Sequence, residues 1–157
     1  MSELFLMKFQ FNEPLNWNVS NVTDMESMFF DASDFNQPLN WDVSNVTDMI
    51  EMFNRATSFN QPLNNWNVSN VTNMHYMFNR ATSFNQPLNW GEKVSNVTNM
   101  QGMFSNARSF NQPLNDWNVS NVTDMRWMFK NAITFNQPLD NWGDILNVTH
   151  FRQMFFN

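Results

Sequence analysis

One short phrase constrains this chain more than anything else in it. Phe-Asn-Gln-Pro-Leu begins at Phe35, Phe59, Phe84, Phe110 and Phe135, and Phe-Asn-Glu-Pro-Leu begins at Phe11. Successive starts lie 24, 24, 25, 26 and 25 residues apart. A period of this length marks supersecondary units that cannot bury their apolar faces alone and stack to share a core. The chain therefore divides into an N-terminal cap segment, residues 1–10, and six repeats over 11–157, starting at 11, 35, 59, 84, 110 and 135, the last incomplete.

Each copy has the same two parts. The first runs from Pro-Leu through a Trp to a Val. In the second repeat, Leu39, Trp41 and Val43 alternate with Asn40 and Asp42, the period of two expected of a strand. Pro38 lacks an amide hydrogen and marks the strand start. The second part places Met49, Met52, Phe53 and Ala56 at i, i+3, i+4 and i+7, which predicts a short helix. Thr23, Thr47, Thr72, Thr98 and Thr123 precede this face and read as N-caps. Thr23 with Glu26, and Thr98 with Gln101, fit the capping box. The expected fold class is an α/β repeat solenoid, leucine-rich-repeat-like, of six stacked units, each with a short parallel strand and a short helix. Length varies between Leu and Val, with the largest insert at Gly91-Glu92-Lys93, so these residues should bulge outward.

The phrase from Phe59 to Phe78, Phe-Asn-Gln-Pro-Leu-Asn-Asn-Trp-Asn-Val-Ser-Asn-Val-Thr-Asn-Met-His-Tyr-Met-Phe, resembles the bacterial surface protein repeat of about 26 residues. That family is similar to BspA-type leucine-rich repeats and occurs in mycoplasma lipoproteins and some giant-virus proteins. The resemblance covers residues 11 to 157 and implies a leucine-rich-repeat-like fold, display at a cell surface or virion, and no catalytic residues to carry over. The opening residues, Met1 to Phe9, lack a basic n-region and a small-residue cleavage site, so they do not read as a signal peptide.

Composition narrows the function classes. Hydrophobic residues make up 42%, with 17 Phe, 13 Met and 7 Trp, enough for a substantial core, while only 14% are charged. Net charge is −6 and the eight Lys and Arg are scattered along the sequence, whereas a phosphate backbone needs clustered cations; nucleic acid is not an expected partner. There is no Cys, which removes disulfides and thiolate chemistry. No run approaches 18 apolar residues, so no transmembrane segment is expected.

The repeated polar and aromatic residues have competing readings. Six Trp at one repeat position could make a platform for sugar rings, but recurrence in every copy favours packing between repeats. Asn36, Asn60, Asn85, Asn111 and Asn136 read as a hydrogen-bonded ladder that satisfies turn backbone. Asp24, Asp48 and Asp124 read as caps rather than Ca²⁺ ligands, because Asn replaces Asp in other repeats. His75 and His150 sit at different repeat offsets, with no Ser-His-Asp or paired-His pattern, so neither catalysis nor a metal or cofactor is expected. What differs between copies is left to carry function. Candidate partner-binding residues are Ile50, Glu51, His75, Tyr76, Gln101, Arg126 and Trp127 in the free helix slots, with Glu92 and Lys93 in the insert. The expected function is a non-catalytic protein-interaction or structural scaffold module, bound to a protein partner or to itself through the solenoid ends. The alternative is a carbohydrate-binding surface adhesin using exposed Trp and Asn, with a glycan as partner.

Overall fold

The computed structural model describes residues 1–143 and 145–156. The repeats stack in chain order, and each is built from two arms. In the second repeat the tryptophan arm is residues 35–47 and the turn arm is residues 48–58. The two arms enclose one continuous core, to which every repeat contributes its Leu, Trp, Val, Met, Phe and Ala positions in the central copies.

The expected strand-and-helix unit is not there, so the α/β, leucine-rich-repeat-like solenoid is corrected. Among the described residues the only helices are two single-turn 3-10 segments, Gly91–Val94 and Asp140–Trp142. There is no sheet. Parallel bridges occur at one position per repeat and link Asp24, Asp48, Asn73, Asn99, Asp124 and His150 in sequence.

The turn arm shows why a helical pattern gives no helix. In the first repeat the N–H groups of Met25, Ser27, Phe29 and Asp31 donate to the carbonyls of Asp48, Ile50, Met52 and Asn54 in the next repeat, at 3.0, 2.8, 2.9 and 2.7 Å. The N–H groups of Met28, Phe30 and Ala32 instead close four-residue turns onto Met25, Ser27 and Phe29. Ser27 and Asp31 have φ of 52° and 57°, and the same two positions are left-handed in the next four turn arms. Each left-handed residue breaks the helix and swings alternate peptides to point along the stack. Layer thickness favours this arrangement. The Phe29, Phe53 and Phe78 rings stack at 5.5 Å, whereas neighbouring helices need about 8–10 Å between axes. Flat turns fit the spacing that the rings and backbone rungs demand.

The capping prediction is corrected with the helix. Thr47 Oγ1 donates to the Thr23 carbonyl of the preceding repeat at 3.1 Å and caps nothing. The next residue does the local work: Asp24 Oδ1 accepts the Glu26 N–H and Asp48 Oδ1 accepts the Ile50 N–H, both at 2.8 Å. These are Asx turns that open each turn arm.

The tryptophan arm alternates as expected but is tied to its neighbours by side chains. Leu39, Trp41 and Val43 are all buried. The indole N–H of Trp41, Trp66, Trp90, Trp117 and Trp142 donates to the Leu carbonyl of the preceding repeat, at 2.8–3.1 Å. Asn36 Oδ1 accepts the Asn60 N–H and Asn60 Oδ1 the Asn85 N–H, both at 2.9 Å, while Gln61 and Gln86 reach back to the same oxygens. The Asn ladder is therefore present. A backbone ladder is ruled out here by Pro, which has no N–H, and by inserts that change the length between Leu and Val; a long indole tolerates that slippage. The largest insert forms the first 3-10 turn, with Glu92 exposed.

The cap segment follows the same rules. Glu3, Phe5 and Met7 donate to the carbonyls of Glu26, Met28 and Phe30, and the Phe5 ring stacks on Phe29 at 5.5 Å. Residues 1–10 thus form one more turn arm, laid on the first repeat.

Candidate functional site

Because the turn arms repeat in register, residues at equivalent positions form columns along the stack. The two free slots become two adjacent columns. One carries Glu26, Ile50, His75, Gln101, Arg126 and Arg152. The other is the first left-handed position, with Glu3, Ser27, Glu51, Tyr76, Gly102, Trp127 and Gln153, all at φ between 52° and 60°. Ile50, Glu51, His75, Tyr76, Gln101, Arg126 and Trp127 are each half-buried, so one face gathers seven of the predicted residues. Glu92 and Lys93 are not among them. They lie on the tryptophan arm, where Asn118 Nδ2 donates to the Glu92 carboxylate at 2.7 Å.

Gly102 organises the middle of this face. It has φ of +60°, and a Cβ there would lie 1.9 Å from Tyr76 Cε1. Absence of a side chain lets the Tyr76 ring fold across the next repeat. On its other side Tyr76 packs on His75, with ring centroids 4.3 Å apart. Burial holds His75 below the ordinary imidazole range; nearby Asp124 opposes this and Arg126 reinforces it. His75 Nε2 is buried without a hydrogen-bond partner, as a neutral ring nitrogen tolerates better than an imidazolium.

Beyond Gly102 the polar groups are tightly organised. Arg126 grips Asp124 through Nε at 3.1 Å and Nη2 at 2.6 Å, and Nη2 also donates to Gln101 Oε1 at 3.0 Å. Burial works to raise the Asp124 pKa, but the Arg126 hydrogen bonds outweigh it and keep the carboxyl below its usual range. Trp127 Nε1 donates to Gln153 Oε1 at 3.0 Å, and the Arg126 and Lys130 cations lie 5.9 and 6.0 Å from the Trp127 ring.

A second pair of columns lies beside the first and was not singled out from the sequence. Asn54-Arg55, Asn79-Arg80, Ser105-Asn106 and Lys130-Asn131 occupy the positions between Met-Phe and Ala. Arg55, Arg80, Asn106 and Asn131 are left-handed as well. A cleft of about 300 Å³ opens between Tyr76 and Trp127, bounded by Arg80, Asn106 and Lys130. A shallow groove of about 370 Å³ continues from it past Arg80 to Arg55 and Arg108. Variability at these positions was the available signal, and reading a helix across them concealed that they share a face. The arrangement can stack on a planar or apolar group and hold an anion. Among the described residues no group of three or more His, Asp or Glu is placed to hold a metal, and no helix is long and apolar enough to cross a membrane.

A family model described as a Mycoplasma protein of unknown function, DUF285, matches residues 1–93 and 90–157. The chain belongs to this family. No curated protein and no solved structure matches it. DUF285 membership covers the whole stack and makes this a repeat protein, and it assigns no activity to the columns described above.

Proposed function

We propose that this DUF285 chain is a non-catalytic interaction module whose turn arms form the partner-binding face, a role in keeping with its likeness to bacterial surface protein repeats. The observation that carries the reading is the column geometry. Framework residues are consumed by core packing and inter-repeat hydrogen bonds, while the turn-arm residues that differ between copies converge on one half-exposed face. An interface needs a few anchoring aromatics and Arg residues within a polar rim, and Tyr76, Trp127, Arg80 and Arg126 supply them. Glycan binding by a Trp ladder has less support, because Trp41, Trp66, Trp90, Trp117 and Trp142 are 1–8% exposed and their indole N–H groups are bonded within the stack.

Photo-crosslinking tests this. A benzoylphenylalanine at position 127 should give a discrete crosslinked product in extracts of the source organism, and one at position 40 on the tryptophan arm should not. Equal yields at both positions, or none at 127, would overturn the reading.

A further inference from the structure

Charge on the turn arms is segregated along the stack, although the cations look scattered in the sequence. The three leading arms, residues 1–10, 24–34 and 48–58, carry seven acids and two bases, a net of −5. The four that follow, 73–83, 99–109, 124–134 and 150–156, carry one acid and five bases, a net of +4.

Most of these charges have no internal partner. The described ion pairs on this surface are Arg55 with Asp31 at 3.6 Å and Arg126 with Asp124 at 2.6 Å. Arg80, Arg108 and Lys130 make none among the described residues, and Arg80 and Arg108 are exposed. At the other end the acids crowd one another. Burial and then the fields of Asp48, Asp24, Glu3 and Glu51 all push Glu26 above the usual carboxylate range. Burial followed by Asp24 does the same to Asp48, although the Ile50 N–H opposes them.

A surface that is acidic at one end and basic at the other is complementary to a reversed copy of itself. We infer that two copies of this chain pack face to face through their turn arms, antiparallel, with the acidic half of each on the basic half of the other. Parallel packing would oppose like charges. A twofold axis is the symmetry that pairs one patch with itself. Of the seven turn arms the middle one is 73–83, so the axis passes near Tyr76. Equal spacing of the arms then sets Glu51 opposite the Arg108 arm, Glu26 and Asp31 opposite Arg126 and Lys130, and Glu3 opposite Arg152. Tyr76 meets its own copy at the centre, where a half-exposed aromatic gives the interface an apolar contact.

This inference rests on the turn arms being the interaction face and names the partner as a second copy. It is tested by sedimentation velocity on the full chain. At about 10 mM salt, where the Debye length is about 30 Å, a dimer is expected; at about 1 M salt, where it is about 3 Å, the dissociation constant should rise at least about tenfold. Two charge-reversed variants, one with R108E, K130E and R152E and one with E26K, D31K and E51K, should each be monomeric alone. Mixed together they should form a one-to-one heterodimer, which also shows that both fold. A monomeric native chain at low salt, a dimer insensitive to salt, or variants that self-associate unchanged would each overturn the proposal. If the native chain stays monomeric while position 127 still crosslinks to another protein, self-pairing fails and the interaction face survives.

Discussion

Gly102 is the residue on which the proposed face turns. Its left-handed backbone and the Tyr76 ring above it both reject a side chain. G102A should cost about 1–3 kcal/mol of stability. In a Y76A background the overlap is gone and only the backbone term remains, about 1–2 kcal/mol. Urea unfolding of the four proteins measures this, and equal costs in both backgrounds would contradict the contact. His75 provides a second residue-scale test. Its folded-state pKa lies below the ordinary value of 6.5, so the unfolded chain takes up the proton first as pH falls. The contribution of neutral His75 is therefore complete above about pH 6.5 and declines below it. An NMR titration should give a His75 midpoint under 6.5, and H75N should flatten that part of the stability profile.

At the scale of the element, the two arms solve the same problem with different groups. Turn arms link to neighbours through backbone N–H groups, and tryptophan arms mainly through indoles and Asn amides, with one backbone rung at the closing Thr. Far-UV circular dichroism should accordingly lack the paired minima of an α-helix, although Met49, Met52, Phe53 and Ala56 carry helical spacing. That spacing was legible in the sequence and correctly marks the buried face. It could not separate a helix from a run of turns broken at every fourth residue, because both put i, i+3, i+4 and i+7 on one side. On the other arm, W66F keeps an aromatic ring but removes the hydrogen bond to Leu39 O at a position 2% exposed. The stranded carbonyl should cost about 1–3 kcal/mol in chemical denaturation. Deleting Gly91 and Glu92 leaves Trp90-Lys93-Val94, the spacing of Trp41-Asp42-Val43, and should be tolerated with a loss under about 1 kcal/mol, since the two deleted residues lie outside the core that Val94 enters.

The whole molecule behaves as a line of near-identical layers. Each repeat touches its neighbours, with Phe rings of one column 5.4–5.7 Å apart from Phe5 to Phe155. Removing one complete repeat, residues 59–83, should leave a folded chain of lower melting temperature, because stability in such stacks is approximately a sum of unit and interface terms. Charge is the property that only the whole stack shows. Burial, and then the neighbouring acids, raise the Glu26 pKa, so its ionised form is disfavoured on folding; protonation as pH falls through the raised value removes the penalty. E26Q should therefore raise the melting temperature at neutral pH and lose that advantage at acid pH. Scanning calorimetry across pH checks it.

By itself the sequence determined the repeat, its six copies, the buried register of Met, Phe and Ala, the Asn ladder and the place of the largest insert. Those follow from periodicity, since a residue recurring in every layer must serve contacts that every layer makes. Tertiary structure alone decided that the turn arms are not helices, that Asp or Asn and not Thr opens them, that Trp and Val of the other arm both face the core, and that Tyr76, Gly102, Trp127 and the unremarked Arg80 and Lys130 share one face. The reason is layer thickness. Stacking flat repeats at ring-contact distance turns alternate N–H groups out of the chain and towards the next repeat, and that choice fixes which side chains align. Only when they align do charges from seven separated segments become one surface, acidic at one end and basic at the other.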